Sequence, residues 1–201
     1  MPGLLDPAEL ARGVRAGYAG TTPRLSEAAR DDALYEVQLV AVKKLPPKRQ
    51  ARALAQVEAA RRRTLAGRKH AQQGRTFLAL NAQREGWSVR PSGLQVKLLT
   101  RGKGAQPGPR DRVRVRFTGR NLAGLLVHRS PQAGERYHLR SVLPGWAEAL
   151  RGMRPGGAVE LVIPAELGYG LRGNARLKVG PRQVLRYRLE LVEVLPARGK
   201  K

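Results

Sequence analysis

The sequence predicts an α+β protein in two parts: an all-α N-terminal domain with a long connecting helix, then a curved antiparallel sheet, a half-barrel, wrapped on a short helix. Three observations predict it. Up to about Arg84, apolar residues recur at helical spacing within Ala-, Arg- and Gln-rich sequence. After Pro91, short runs such as DRVRVRFT and VLRYRLELVEV alternate apolar and polar residues. A single segment opened by proline and closed by glycine, PGWAEALRGMRPGG, interrupts those runs. The expected boundaries are 1–47 for the short helices, 48–90 for the long basic helix, 91–196 for the sheet domain and 197–201 for a basic tail.

In DPAELARGVRAGYAG, Asp6 is placed to cap a helix with Pro7 at its first position; Leu10, Val14 and Tyr18 share one face, and Gly20 ends it. TTPRLSEAARDDALYEVQLVAVKK restarts at Ser26, with Ala29, Ala33, Leu34, Val37 and Val40 as its apolar face. Two such short helices bury too little surface to stand alone and need a partner, in this chain or in a second copy. After Pro46 and Pro47, a helix is expected from about Lys48 to Arg84, rich in good helix formers. Its large apolar residues are sparse: Leu54, Val57, Leu65, Phe77, Leu78 and Leu80. Arginine and lysine dominate its remaining surface, so it reads as a largely solvated spacer or arm.

The strands expected next are GLQVKLLT, DRVRVRFT, RYHLRSVL, AVELVIP and VLRYRLELVEV, about five in all. In DRVRVRFT, Val113, Val115 and Phe117 fall on one face, and Arg112, Arg114 and Arg116 on the face expected in solvent. Val142 and Leu143 end an extended run, Pro144 opens the short helix and Trp146 sits in its first turn. Ala147, Ala149, Leu150 and Met153 continue it towards Gly156 and Gly157. After Pro164 a loop presents Tyr169 between Gly168 and Gly170. These aromatics could line one apolar pocket; on pattern alone Trp146 reads first as a core residue.

Composition narrows the function. A length of 201 residues allows one or two domains, and a hydrophobic fraction of 41% suffices for a core. The absence of cysteine excludes disulfides, thiolate metal sites and cysteine nucleophiles. No apolar run reaches transmembrane length. MPGLLDPAEL lacks the charged and apolar regions of a signal peptide, which points to a cytoplasmic chain. The formal net charge of +24 predicts attraction to polyanions, nucleic acid or anionic lipid; a solvated arginine-rich surface is the alternative. The basic helix has no interleaved aromatics to read a nucleic-acid sequence. His70 and His138 have no partners at metal-ligand spacing, and no metal or cofactor is expected.

Five stretches resemble, in order, the FK506-binding family of peptidyl-prolyl cis-trans isomerases: RVRVRFTGR (112–120), AGLLVHRS (123–130), VLPGWAEALRGMRPGG (142–157), ELVIPAELGYGLRG (160–173) and VGPRQVLRYRLELVEV (179–194). The join at 74–115, with the short helices upstream, is similar to the macrophage-infectivity-potentiator branch. That branch has an N-terminal helical dimerisation domain and a long connecting helix. The resemblance implies an isomerase that assists folding, proline-containing polypeptide substrates, a homodimer through the N-terminal helices, and no cofactor. It also implies a periplasmic or outer-membrane location and a pocket that macrolides of the FK506 class could occupy.

Carried over by position, the resemblance makes Trp146 the pocket floor and Val142 and Leu143 the adjacent wall. Tyr169 would donate its hydroxyl to a substrate carbonyl. Phe117, Tyr137, Val179 and Tyr187 would complete the substrate-binding surface, with hydroxyls added at Tyr137 and Tyr187 and one lost at Phe117. Two departures matter more: Val127 replaces an aromatic wall, and His128 replaces the carboxylate that anchors the polar side. These imply weaker catalysis, with a binding module or chaperone of decayed activity as the alternative. The other reading of His128 is an exposed loop residue.

Overall fold

The computed structural model describes residues 25–195. The helix expected around Leu10, Val14 and Tyr18 and the basic tail lie outside the described residues. The chain divides into two compact units, with the break between Leu65 and Ala66.

In the first unit, helix α1 spans Glu27–Lys43. Ser26 caps it as the sequence predicts, its hydroxyl accepting from the Ala29 amide at 3.1 Å. Arg61 lies 3.9 Å over the Tyr35 ring and 3.7 Å from Asp32. The expected apolar face is largely uncovered: Leu34, Val37 and Val40 are 56%, 51% and 41% exposed.

Helix α2 spans Pro47–Ala82, starting one residue before and ending two residues before the expected limits. Its large apolar side chains do not form a packed face; Leu54, Leu65 and Leu80 are exposed. The residues it buries are Gly67, Gly74 and Asn81, all in the second unit. A Cβ on Gly74 would stand 2.7 Å from Val184 Cγ2. Asn81 donates to Gln95 Oε1 at 2.8 Å, and Gln95 donates to the Leu78 carbonyl at 2.8 Å. The expectation of a solvated arm is therefore corrected for this half of the helix, where close backbone approach replaces side-chain bulk.

Seven strands build the sheet, where about five were expected: β1 (Trp87–Val89), β2 (Gln95–Thr100), β3 (Arg112–Asn121), β4 (Leu126–Arg129), β5 (Glu135–His138), β6 (Ala158–Ile163) and β7 (Leu185–Leu195). Their order is β1-β2-β6-β7-β3-β4, with β5 also paired to β3 and every pairing antiparallel. β5 takes the first half of one edge of β3 and β4 the second. Val113, Val115 and Phe117 are buried, and the arginine face is solvent-facing and partly paired: Arg114 with Glu193 at 2.9 Å, Arg116 with Glu190 at 3.4 Å.

Helix α3 (Pro144–Arg151) packs on the face opposite those arginines. Leu143 is its N-cap residue and Pro144 opens it, because a missing N–H costs nothing in a first turn. Gly145 allows the close approach: a Cβ there would stand 2.9 Å from Ile163 Cγ2 on β6. Trp146, Ala149 and Leu150 are thereby turned into one core with Leu161, Ile163, Leu185 and Leu189.

Candidate active site: an aromatic box between sheet and helix

Trp146 is 4% exposed and lies among three other aromatic rings. Its centroid is 4.6 Å from Phe117, 5.0 Å from Tyr187 and 6.1 Å from Tyr137, each edge-on. Edge-on rings set the positive rim of one against the negative face of the next, which fixes the box as well as drying it. Trp146 is thus a core residue, as the pattern alone suggests. Val127, Val142, Leu143 and Tyr169 are half-buried against the hydrophobic core to which these rings belong, and Val179 is buried within that core. All these sequence-predicted positions are brought together.

His128 is not on a loop. It lies on β4, opposite Gly119, which in turn pairs with Tyr187 on β7. Residues paired across a sheet share a face, so His128, Tyr187 and, two positions along β3, Phe117 all point towards α3. The His128 ring meets Phe117 edge-on at 4.7 Å. The exposed-loop alternative is therefore corrected by the register.

The hydroxyls differ in role. Tyr137 donates to the carboxylate of Glu135, its neighbour on the same strand and face. Burial first, and then this hydrogen bond, push the Tyr137 hydroxyl well above its ordinary pKa. Burial, followed by the influence of Tyr169, pushes Tyr187 up as well. Tyr169 is raised by burial, against an opposing contribution from Tyr187. All three remain protonated donors near neutral pH. The Tyr187 hydroxyl lies against that of Tyr169, which contributes to its shift, and the buried Trp146 Nε1 has no hydrogen-bond partner among the described residues. A buried donor of this kind is uncommon.

Two contributors were missed from the sequence. Glu135 gives the box a carboxylate next to Tyr137, and nothing in GERYH signals it. Ser130 fixes the backbone of Phe117: its hydroxyl accepts the Phe117 amide at 3.1 Å, and its own amide donates to the Phe117 carbonyl at 3.1 Å.

The sequence and the fold match those of known proteins. The family model for FKBP-type peptidyl-prolyl cis-trans isomerase matches residues 103–192, and that for the domain amino terminal to it matches residues 3–98. An outer membrane protein MIP of Legionella longbeachae is 33% identical over 195 residues, 96% of this chain and 77% of that protein. An FKBP-type 22 kDa peptidyl-prolyl cis-trans isomerase of Escherichia coli is 41% identical over 127 residues, 62% of this chain and 61% of that protein. The crystal structure of FkpA from Escherichia coli matches with a TM-score of 0.67 at 27% identity, covering 96% of this chain and 84% of that one.

Proposed function

Since this chain belongs to the FKBP-type peptidyl-prolyl cis-trans isomerases, we propose that its aromatic box binds X-Pro segments of folding polypeptides and isomerises them there. The observation that carries this is the edge-on packing of Phe117 and Tyr187 around Trp146, with Tyr169 half-buried against the same core.

The chemistry needs no bond to be made or broken. The barrier is the loss of amide resonance, about 18–20 kcal/mol, and uncatalysed exchange takes roughly tens to hundreds of seconds. The twisted amide is less polar than the planar one, so a water-excluding aromatic surface favours it. The proline ring would rest on Trp146, beside Val142 and Leu143. Tyr169 would donate to a substrate carbonyl. Tyr137 is engaged by Glu135, so it would serve as a wall, not as a donor.

The test is isomerisation of a proline tetrapeptide by wild type and Trp146→Ala. Loss of most activity in a chain whose sheet signature persists supports the reading; a wild-type rate in the variant sinks it. Removal of a buried aromatic costs about 3–5 kcal/mol of stability, so folding is checked in parallel.

The same box is the surface on which a macrolide of the FK506 class would compete with the peptide. A second copy of the chain is the partner we propose for the N-terminal helices, supported by the uncovered Leu34, Val37 and Val40. The relative named an outer membrane protein supports a place in the cell envelope, which fractionation of native cells checks. A polyanion role has weaker support, because Arg114 and Arg116 of the arginine face already hold carboxylates.

A further inference from the structure

The backbone from Lys178 to Arg182 is strained at both ends. These two residues have φ of 53° and 55°, the two non-glycine residues in the left-handed region among the described residues. Such conformations persist only where their surroundings over-determine them, and they gather at functional sites. Between them stands Val179, 4% exposed and part of the hydrophobic core that includes Phe117, Trp146 and Tyr187.

Three sets of contacts hold this segment. Val179 and Asn174 exchange backbone hydrogen bonds at 2.8 and 2.9 Å. The Arg182 amide donates at 2.9 Å to the carbonyl of Gly170, the residue after Tyr169. From outside the sheet, the second-unit part of α2 supplies His70, whose Nδ1 lies 2.9 Å from the carbonyl oxygen of Pro181. That carbonyl can only accept, so Nδ1 carries the proton. In the neutral ring Nε2 is then an acceptor, and Gln183 Nε2 stands 3.4 Å from it. The other end of the Gln183 amide accepts from the Gly180 N–H at 3.0 Å. Gly180 makes room for the ring: a Cβ there would lie 2.6 Å from His70 Cε1. Both ring nitrogens are thus engaged, one by the strained segment itself and the other by Gln183 next to it, whose amide holds Gly180 in turn.

We infer that His70 is a positioning residue for the proline pocket. Its bond to Pro181 pins the 178–182 segment, and thereby sets where Val179 and, through Gly170, Tyr169 stand. The inference rests on the aromatic box being the substrate site. It concerns a side chain 111 positions from the carbonyl it holds, on a helix whose sequence suggests no part in the pocket.

The test compares wild type, His70→Leu and His70→Asn as full chains. KM and kcat are measured on a proline tetrapeptide, and hydrogen exchange is measured at the Val179, Gly180 and Arg182 amides. Asparagine keeps an N–H near the position of Nδ1; leucine does not. For His70→Leu the expected result is a KM raised about three- to tenfold at nearly unchanged kcat, the loss of one hydrogen bond. Exchange at the three amides accelerates with it, and His70→Asn stays close to wild type in both. A wild-type KM in His70→Leu overturns the inference. Equal losses in His70→Leu and His70→Asn also overturn it, because they would mark the ring as packing alone. Should His70→Leu fail to fold, Gly180→Ala displaces the ring from the other side, and an unchanged KM there is equally fatal. If the wild type itself turns over no peptide, the isomerase reading fails, and the exchange data alone decide whether His70 holds the segment.

Discussion

Gly119 and Tyr187 stand opposite each other on β3 and β7, and a Cβ on Gly119 would lie 2.2 Å from Tyr187 Cε1. The Tyr187 ring lies across bare backbone. The absence of a side chain at Gly119 lets this ring reach Trp146, and His128 takes the place beside it on β4.

Gly119→Ala should therefore distort the box from beneath. A methyl group within 2.2 Å of a ring carbon forces Tyr187 or β3 to move, and such overpacking costs about 1–3 kcal/mol. A lowered urea midpoint is expected, together with weaker binding of a proline peptide as followed by tryptophan fluorescence in a Trp87→Phe background. An unchanged midpoint and affinity would show that the ring has free space elsewhere.

His128→Asp should raise the rate. His128 faces the box against Phe117, where the family resemblance expects a carboxylate, and a histidine holds no fixed negative charge. One charged hydrogen bond in a low-dielectric rim is worth about 1–3 kcal/mol, or roughly ten- to a hundredfold in rate. The gain is partial, because Phe117 and Val127 also depart from the family. Measurement of kcat/KM for wild type, His128→Asp and His128→Ala decides it; three equal values would remove this position from catalysis.

Glu135→Gln should loosen Tyr137. The carboxylate accepts the Tyr137 hydroxyl, which burial and this bond both keep protonated. Replacing a charged acceptor by a neutral amide weakens the bond by about half. The phenol pKa of Tyr137, read by ultraviolet titration against Tyr137→Phe, should move down towards its ordinary value. No movement would mean that burial alone sets it.

The N-terminal helices should make the protein a dimer. α1 leaves Leu34, Val37 and Val40 exposed, an apolar stripe of the kind a second copy covers. Sedimentation of the full chain should give a dimer, and Leu34→Ser with Val37→Ser should give a monomer with tetrapeptide activity kept. A wild-type chain that sediments as a monomer at micromolar concentration ends this proposal.

The sequence by itself determined whatever depends on near neighbours. Period-two alternation put Val113, Val115 and Phe117 inside and their arginine neighbours outside, because successive strand residues must point to opposite faces. Ser26 and Pro144 marked helix starts because the first turn of any helix has free N–H groups. The ten candidate site residues came from the order of motifs; nine lie in or against one hydrophobic core, and His128 meets it at Phe117. What periodicity could not reach were short strands and distant partners. β1 has three residues and β4 four, too few to show alternation. The placement of His128 followed from the register of β4 on β3, which pairing decides and local pattern does not. The buried face of α2 is glycine and asparagine, so hydropathy carried no signal for it. Its contacts with Pro181, Val184 and Gln95 arise from close backbone approach and from hydrogen bonds between distant segments. Only the tertiary structure sets which buried polar groups meet, because a donor finds its acceptor by position in space.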